Sequence, residues 1–452
     1  MHRLILQPHR KYRIVLILGD LFIILASLSI VLYLDTNKAG PFAWSVLKLF
    51  AIYTTVSAIM IFALYVFDLY DLYVLKNSEI ILFYICLGLT IVTIIYSAMA
   101  YFLISLRPGK INLILFTSIT VISTYLWRLS FKRFNAIKPQ HLLFIGDDPI
   151  FKELSQVIQI EFPQHYHVVQ QWRENGKNGP RPDLYDFFKD NNIDLIVYSV
   201  NSELVRQIAD DLITVSFNTK SIIDAYTFYQ RLTYKCPLHF LDYFSLLVNA
   251  NKEIFMPAIA SNVKRAFDFC CVLLLSPIAL PIFLASALAI KLDSKGPVLF
   301  VQERLGQNEV PFRLFKLRTM IHNAERLNGP QWSAGDDPRI TRVGKLLRKA
   351  RMDELPQLYN IFKGDMAVVG PRPIRRHFAD ILVKEVPFYR LRFLAKPGLT
   401  GWAQVNYDYA GSKEGQSEKQ QYDLFYLINQ SIWLDLFILF KTVKVMVWGK
   451  GT

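Results

Sequence analysis

The chain has 452 residues, of which 52% are hydrophobic and 19% are charged, and its formal net charge is +14. Soluble globular domains carry about 25% charged residues, so this composition excludes an all-soluble protein. The large apolar content also excludes a disordered one. The basic excess favours an anionic partner, and three kinds fit it: nucleic acid, an anionic membrane face or a phosphorylated substrate.

Four long apolar runs predict a transmembrane four-helix bundle over residues 1–135. They cover residues 14–34, 43–67, 80–106 and 111–131. At about 1.5 Å per residue, each is long enough to cross a hydrocarbon core of about 30 Å. The first run is too long for a signal peptide and lacks a small-residue cleavage site, so we expect a retained anchor.

Basic residues flank the bundle and predict its orientation. They precede the first run and follow the fourth, at Arg3, Arg10, Lys11, Arg13, Arg128, Lys132, Arg133 and Lys138. The positive-inside tendency then places both ends of the bundle in the cytoplasm. Asp20 and Lys48 lie near the ends of apolar runs, and we expect their charged groups to snorkel towards water.

Residues 136–225 predict a Rossmann-like α/β module. Apolar strands at 141–146, 167–169 and 193–200 alternate with helical patterns at 151–160 and 184–191, which is typical of a parallel sheet. The turn at Gly146 has one glycine where a dinucleotide fingerprint needs three. We therefore expect a structural or regulatory module without a cofactor, followed by a linker over 226–262 that carries no catalytic group.

A fifth apolar run, 266–290, contains Ser276, Pro277 and Pro281. Proline removes a helical hydrogen bond and clashes with the preceding turn, so a kink is expected there. A kinked hairpin would enter and leave one leaflet and keep the rest of the chain cytoplasmic. A proline-kinked fifth span is the alternative. Lys264 and Arg265 precede the run, at the expected level of the lipid headgroups.

Beyond residue 295 the chain is rich in groups that bind phosphate. Arginine forks suit phosphate oxygens, and the candidates are Gln302, Arg304, Lys316, Arg318, Arg348, Arg372 and Lys396. The adjacent carboxylates Asp353 and Glu354 would hold a divalent ion between phosphates. Among so many cations Asp353 is expected to stay ionised and to serve as a nucleophile towards phosphorus. Taken alone, an Asp-Glu pair more often caps a helix.

These segments together resemble the catalytic domain of the monotopic phosphoglycosyl transferases, which are bacterial polyprenyl-phosphate sugar-1-phosphate transferases. The resemblance covers about residues 263–450 and includes Lys264-Arg265, Ser276-Pro277, Asp353-Glu354 and the stretches 315–320, 370–373 and 396–402. The four runs and the α/β module ahead of them resemble the long subfamily that initiates exopolysaccharide, capsule or O-antigen synthesis.

The resemblance implies a fold and a reaction. It implies an α/β-type catalytic domain over 263–452 with a re-entrant helix at 266–290, in a multi-pass protein of the bacterial inner membrane. The reaction would move a sugar-1-phosphate from a UDP-sugar to undecaprenyl phosphate and release UMP, through a phosphosugar held on Asp353. Mg²⁺ would be held by Asp353 and Glu354, and Lys264, Arg265, Ser276 and Pro277 would form the hairpin and lipid-phosphate contacts.

Several alternatives stay open. A non-catalytic membrane scaffold or regulator of polysaccharide assembly would not need the Asp-Glu pair. A membrane-tethered nucleotide-sugar dehydratase would need an intact glycine fingerprint. No nucleic-acid partner is expected, because the basic groups alternate with apolar runs and no groove-reading motif occurs. The identity of the sugar and a homodimer contact through the α/β module are also open. The last apolar stretch, 433–448, predicts either an interfacial helix or a helix packed on the core.

Overall fold

The computed structural model describes residues 10–39, 46–66, 69–70, 81–86, 88, 90, 110–134, 139–173, 187, 190–219, 222–240, 258–321, 338–407 and 413–448. The chain divides into two compact units. One consists mainly of residues 5–139 and the other mainly of residues 140–452. We describe each by itself.

Among the described residues, the first unit has three long helices, α1 (Arg10–Ala39), α2 (Val46–Val66) and α3 (Lys110–Phe134). They match the first, second and fourth predicted runs. Segments Ile14–Val31 and Ile114–Phe131 are long and apolar enough to cross a membrane. The third predicted run lies largely outside the described residues, so the count of four spans stays a prediction.

Asp20 and Arg128 form a buried ion pair between α1 and α3. Both side chains are fully buried, with Nη2 of Arg128 2.5 Å from Oδ2 of Asp20. Arg128 also donates to the carbonyl of Leu69 and lies over the ring of Tyr70. The prediction that Asp20 snorkels to water is therefore wrong. Its partner is 108 residues away in the chain, and no local pattern reveals it.

We expect Arg128→Leu to destabilise the membrane unit by about 3–5 kcal/mol, because the change leaves Asp20 buried without its counter-charge. Thermal unfolding in detergent measures the loss. The double variant Asp20→Leu/Arg128→Leu should recover part of it, since no buried charge then remains. Arg133→Leu is the matched control, because that arginine is exposed. Equal stability of Arg128→Leu and Arg133→Leu would contradict the prediction.

The α/β module has a four-stranded parallel sheet in the order β2-β1-β3-β4. Its elements are β1 (Gln140–Ile145), α4 (Ile150–Glu161), β2 (Tyr166–Trp172), β3 (Leu195–Tyr198), α5 (Glu203–Gln207), α6 (Ala209–Thr219), β4 (Ile222–Asp224) and α7 (Ala225–Thr233). Along β1, Leu142 and Phe144 pack into one apolar cluster while Leu143 and Ile145 pack into another, as alternation along a strand requires. The predicted parallel α/β layer is confirmed.

Helix α7 corrects the predicted start of the linker. Tyr226, Phe228 and Tyr229 are buried in the core of the α/β module, so the module continues to Thr233 rather than ending at residue 225. The following residues then contact the C-terminal region, because the N–H of Cys236 donates to the carbonyl of Gln421, 3.0 Å away. The predicted helix at 184–191 lies mostly outside the described residues.

The turn after β1 is filled by the protein's own groups. Gly146 has φ +123°, and a Cβ there would lie 3.1 Å from the Cβ atoms of both Ser199 and Ser202. The carboxylate of Asp148 accepts from the hydroxyls of Ser199 (3.0 Å) and Tyr226 (3.2 Å). This is the carboxyl edge of the sheet between β1 and β3, where doubly wound folds bind ligands. The absence of a cofactor in this module stays a prediction.

The C-terminal region begins with α8 (Ala258–Asp293), a helix of 36 residues that contains Pro277 and Pro281. Its segment Ser261–Asp293 is apolar enough to cross a membrane and is mostly exposed. Two residues far apart on α8, Asp268 and Asp293, nevertheless both contact the C-terminal region. Asp268 accepts from the N–H of Val368 (3.0 Å) and Asp293 from that of Val343 (3.2 Å).

The rest of this region combines short strands with helices. In order, these are β5 (Leu299–Leu305), β6 (Pro311–Leu317), α9 (Arg342–Lys349), α10 (Gln357–Lys363), β7 (Ala367–Val369), α11 (Arg376–Glu385), β8 (Gly398–Thr400), α12 (Trp402–Asn406), α13 (Lys413–Asn429) and α14 (Ile432–Trp448). Strands β5 and β6 pair antiparallel and β7 and β8 pair parallel. This is an α/β arrangement, as expected.

Helix α14 has two different apolar faces. Leu434 and Ile438 are fully buried in the core cluster around Trp402, whereas Trp433 and Phe440 are about half exposed. The packed alternative is thus confirmed for one face. The interfacial alternative stays a prediction for the other.

Candidate active site

Asp353 and Glu354 lie on a short 3₁₀ turn, Met352–Glu354, between α9 and α10. Arg351 adopts a left-handed conformation, with φ +54°, and reverses the chain after α9. Pro356 is the N-cap of α10, and no side chain caps this helix. Neither carboxylate therefore serves as a helix cap. The tight turn instead places the two acids side by side, facing β6.

Glu354 binds two cations. Its Oε1 accepts from Nζ of Lys316 (3.0 Å) and from Nη2 of Arg372 (2.9 Å), and its side chain is 11% exposed. Burial alone would raise the pKa of Glu354, but Arg372 and Lys316 outweigh it and hold the pKa well below its usual range. Glu354 is therefore a fixed negative charge at neutral pH.

Asp353 differs from its neighbour. Its nearest cation is Lys316, with Nζ 3.7 Å from Oδ2, and it accepts no hydrogen bond from the residues that the structure describes. Burial raises the pKa of Asp353 above its ordinary 3.8, Lys316 lowers it and Glu354 raises it further. We expected the surrounding cations to dominate this carboxyl, and burial outweighs them. The result is a carboxylate that is little constrained and more basic than usual.

Arg372 joins the loop 370–373 to this pair. Besides Glu354, its guanidinium donates from Nη1 to Oε1 of Gln404 (2.8 Å). A Cβ on Gly370 would lie 2.3 Å from the carbonyl oxygen of Lys396, so only glycine lets the loop run this close to the strand β8. Gln404 was missed by sequence reasoning. It lies two residues after the predicted stretch 396–402, and this proximity is the feature of the sequence that could have identified it.

Lys316 and Arg318 are two residues apart on β6 and its extension, so their side chains lie on the same face of the strand. Arg318 is buried and donates from Nη2 to the carbonyl (2.7 Å) and hydroxyl (2.9 Å) of Ser294. Its Nε and Nη1 are buried without a partner among the described residues. Arg348 donates to the hydroxyl of Thr319 (2.8 Å), and its charge also lowers the pKa of Asp353. Both arginines thus border the site without touching the carboxylates.

Two predicted phosphate ligands contact each other and the loop that carries Arg372. Arg304 donates to Oε1 of Gln302 (2.5 Å) and, more weakly, to the carbonyl of Pro373 (3.4 Å). Their role in binding phosphate stays a prediction.

Lys264, Arg265 and Lys396 form a separate basic cluster near the other end of α10. Lys264 is buried and pairs with Asp435 (2.6 Å), and Arg265 donates to the carbonyls of Ile361 and Phe362. Burial and the nearby charge of Arg265 lower the pKa of Lys396. The structure does not bring these three residues to Asp353. Their assignment to lipid or nucleotide phosphate stays a prediction.

An apolar cavity of about 380 Å³ lies against the middle of α8. It lies between α8 and the elements that carry the site, since Phe315 precedes Lys316 and Leu355 follows Glu354. Its lining residues are Ser276, Ala279, Leu280, Phe283, Leu299, Phe315, Leu355, Pro356, Leu358 and Tyr359. Pro277 itself does not line it, but the adjacent Ser276 does. The cavity is therefore lined by chain neighbours of Lys316 and Glu354, and neither carboxylate is among its lining residues.

The donor set suits a magnesium ion bound together with phosphate. Among the described residues, no cluster of three or more His, Cys, Asp or Glu side chains forms a protein cage for a metal. Mg²⁺ typically binds one or two carboxylates plus substrate phosphates. The unbonded carboxylate of Asp353 and the second oxygen of Glu354 fit that pattern, because Oε1 of Glu354 is already taken by two cations.

Comparison with known proteins locates this site within a recognised region. Residues 259–449 match the family described as bacterial sugar transferase. The "UDP-N-acetylgalactosamine-undecaprenyl-phosphate N-acetylgalactosaminephosphotransferase" of Aeromonas hydrophila is 44% identical over 189 residues, covering 42% of this chain and 44% of that protein. The chain thus matches under half of that relative's length.

Two further relatives are covered more fully. The "UDP-glucose:undecaprenyl-phosphate glucose-1-phosphate transferase" of Caulobacter vibrioides is 42% identical over 195 residues, covering 42% of this chain and 73% of that protein. The "Exopolysaccharide production protein PSS" of Rhizobium leguminosarum bv. phaseoli is 40% identical over 196 residues, covering 42% of this chain and 98% of that protein. All of the residues in the site described above fall inside the matched family region, 259–449.

Proposed function

The chain belongs to the bacterial sugar transferase family, and we propose on that premise that it transfers a sugar-1-phosphate from a UDP-sugar to undecaprenyl phosphate and releases UMP. One observation carries the proposal. The acids Asp353 and Glu354 are held beside Lys316, and the residues next to Glu354 and Lys316 in the chain, Leu355 and Phe315, line an apolar cavity on α8. A phosphate site and an apolar site side by side suit a reaction between a nucleotide and a lipid phosphate.

The reaction is proposed to proceed in two displacements. An oxygen of Asp353 attacks the sugar-bearing phosphorus, the bond to UMP breaks, and its electron pair leaves with UMP. The undecaprenyl phosphate oxygen then attacks the same phosphorus and releases the Asp353 carboxylate. Splitting the transfer lets the water-soluble donor product leave before the lipid acceptor enters. The freedom of Asp353 from hydrogen bonds supports its role as nucleophile.

The cations have separate roles in this proposal. Arg372 and Lys316 stabilise negative charge as it develops on the transferred phosphoryl group. Arg318 offers two buried donors without partners among the described residues, which a phosphate oxygen would satisfy after a small opening. Mg²⁺ held by Asp353 and Glu354 would neutralise the diphosphate. Glu354 in turn orients Lys316 and Arg372.

We also propose that α8 is re-entrant, in a multi-pass protein of the inner membrane with its catalytic domain in the cytoplasm. A straight helix from Asp268 to Asp293 would be about 38 Å long at 1.5 Å per residue. Both of these residues contact the same domain, and the cavity lies against the middle of the helix. Two prolines supply a bend. A homodimer through the α/β module is part of the same proposal.

A panel of UDP-sugars tests the function. Purified protein in detergent is incubated with undecaprenyl phosphate, Mg²⁺ and UDP-glucose, UDP-galactose or UDP-N-acetylgalactosamine, and UMP is measured. The panel is needed because similar proteins differ in the sugar that their names give. We expect release of UMP from at least one donor, with a matching sugar diphospholipid. Continued turnover in the absence of the lipid, beyond the single UMP released per enzyme by the first displacement, or no release at all, would contradict the proposal.

The raised pKa of Asp353 predicts the pH dependence of this reaction. The nucleophile must be ionised, so kcat/KM should fall on the acid side with an apparent pKa above 3.8. Lys316→Gln removes a charge that lowers this pKa, so the acid limb should move to higher pH. Lys345→Gln is the control, because that lysine is exposed on α9. An acid limb that stays in place or moves to lower pH in Lys316→Gln would contradict the assignment.

A further inference from the structure

The loop that carries Arg372 has few ways to be held. Two of its residues, Pro371 and Pro373, have no backbone N–H, so the loop is held through the N–H of Gly370, which donates to the carbonyl of Thr400 (2.9 Å), and through its carbonyl groups. The carbonyl of Pro371 accepts from the N–H of Gly398 (2.9 Å). That of Pro373 accepts from Arg304 (3.4 Å). The carbonyl of Arg372 accepts from Nη2 of Arg392 (3.0 Å).

Arg392 is itself held on every side by protein. It lies on a 3₁₀ helix, Tyr389–Leu394, and its side chain is 8% exposed. Nη2 also pairs with Oδ2 of Asp423 on α13 (3.0 Å), where the aspartate is 3% exposed. Nη1 donates to the hydroxyl of Tyr389, over whose ring the guanidinium lies. Arg392 is therefore a rigid buried donor rather than a free surface cation.

This geometry links α13 to the site in a chain of contacts. Asp423 fixes Arg392, Arg392 fixes the backbone of Arg372, and the side chain of Arg372 reaches Glu354 at 2.9 Å. A displacement of about 1 Å in a positioning group can cost 10²-fold in rate. Loss of the Arg392 guanidinium would remove the hydrogen bond to the carbonyl of Arg372.

We infer that Arg392, backed by Asp423, is a positioning residue that sets where the guanidinium of Arg372 lies. The inference rests on the proposed function, because the effect of Arg392 on turnover passes through Arg372. It does not require Arg392 to touch any substrate. Its guanidinium is buried and already bonded to Asp423, Tyr389 and the carbonyl of Arg372, so the role inferred for Arg392 is to position Arg372.

The test is a double-mutant cycle on the full chain. Arg392→Lys keeps the positive charge for Asp423 but loses the planar fork. We expect it to lower kcat/KM by about 10–100-fold, mainly through kcat. In an Arg372→Ala background the same change should cost less than about twofold, because residues that act through one another are not additive. Arg390→Lys is the matched control, since Arg390 is 72% exposed and pairs with Glu309 instead.

Two further measurements keep the outcomes distinct. Tyr389→Phe loosens Arg392 while both buried charges stay paired, so it should fold and give a smaller loss of kcat. The thermal unfolding midpoints of the wild type, the two single variants and the double variant give a coupling between Arg392 and Arg372 that does not depend on measuring turnover. Additive losses in both readouts, or an Arg392→Lys variant as active as Arg390→Lys, overturn the inference. Failure of the wild type with every UDP-sugar instead refutes the proposed function, and the thermal coupling then decides the inference alone.

Discussion

Asp353→Asn is expected to lower turnover by at least about 10³-fold, which corresponds to about 4 kcal/mol in the activation barrier. The amide has nearly the same shape as the carboxylate but cannot attack phosphorus. Asp353 accepts no hydrogen bond from the described residues, and its ion pair with Lys316 is long at 3.7 Å. The fold should therefore survive the change, so that lost activity reports lost chemistry.

Covalent capture separates a nucleophile from a metal ligand. Wild-type protein incubated with a UDP-sugar labelled in the sugar-linked phosphate, without the lipid acceptor, should release UMP and retain the label. Asp353→Asn should retain none. Asp365→Asn is the matched control, because Asp365 pairs with Lys363 at the far end of α10. Turnover of Asp353→Asn near the wild-type rate would refute the assignment of Asp353 as the nucleophile. Absence of label on the wild type would favour direct transfer to the lipid.

The elements that sequence could predict are those with local signals. Apolar length marked three long helices, and alternation of strands with helices marked the parallel sheet. The motifs around Lys316, Asp353 and Arg372 predicted three groups that the structure brings together. Here the turn at Arg351 and the glycine-lined loop are short, so neighbouring residues determine most of the geometry.

The sequence could not predict ion pairs between residues that are far apart in the chain. Lys264 and Arg265 were assigned to the lipid surface because of their charge and position, yet Lys264 pairs with Asp435, 171 residues later. Asp20 and Arg128 are likewise joined across two helices. A charged residue in a sequence has the same appearance whether it is solvated or paired, and tertiary packing decides between them.

The same reasoning explains the two acids. They are adjacent in the chain and share Lys316, but only Glu354 also contacts Arg372. The pKa of Glu354 is lowered while that of Asp353 is raised. Environments that push the pKa values of neighbouring acids apart commonly assign them different roles. Glu354 is thus suited to hold cations, and Asp353 to act as the more basic group.

Arg372→Lys should lower kcat by about 10²–10³-fold, the loss found when one preorganised electrostatic group is removed from a transition state. Lysine keeps the charge but cannot donate to Glu354 and Gln404 at once, as the guanidinium does at 2.9 and 2.8 Å. Lysine keeps a positive charge beside the buried carboxylate of Glu354, so the variant should lose little stability.

A large loss of rate with little loss of stability is therefore the signature expected of Arg372. Steady-state kinetics and thermal unfolding of the same preparation measure both quantities. Arg376→Lys is the control, because Arg376 is exposed and donates only weakly to the carbonyl of Glu309, at 3.4 Å. If Arg372→Lys raised KM for the UDP-sugar and left kcat unchanged, Arg372 would bind donor and transition state equally. Its place in the transfer step would then pass to Lys316, the other cation that holds Glu354.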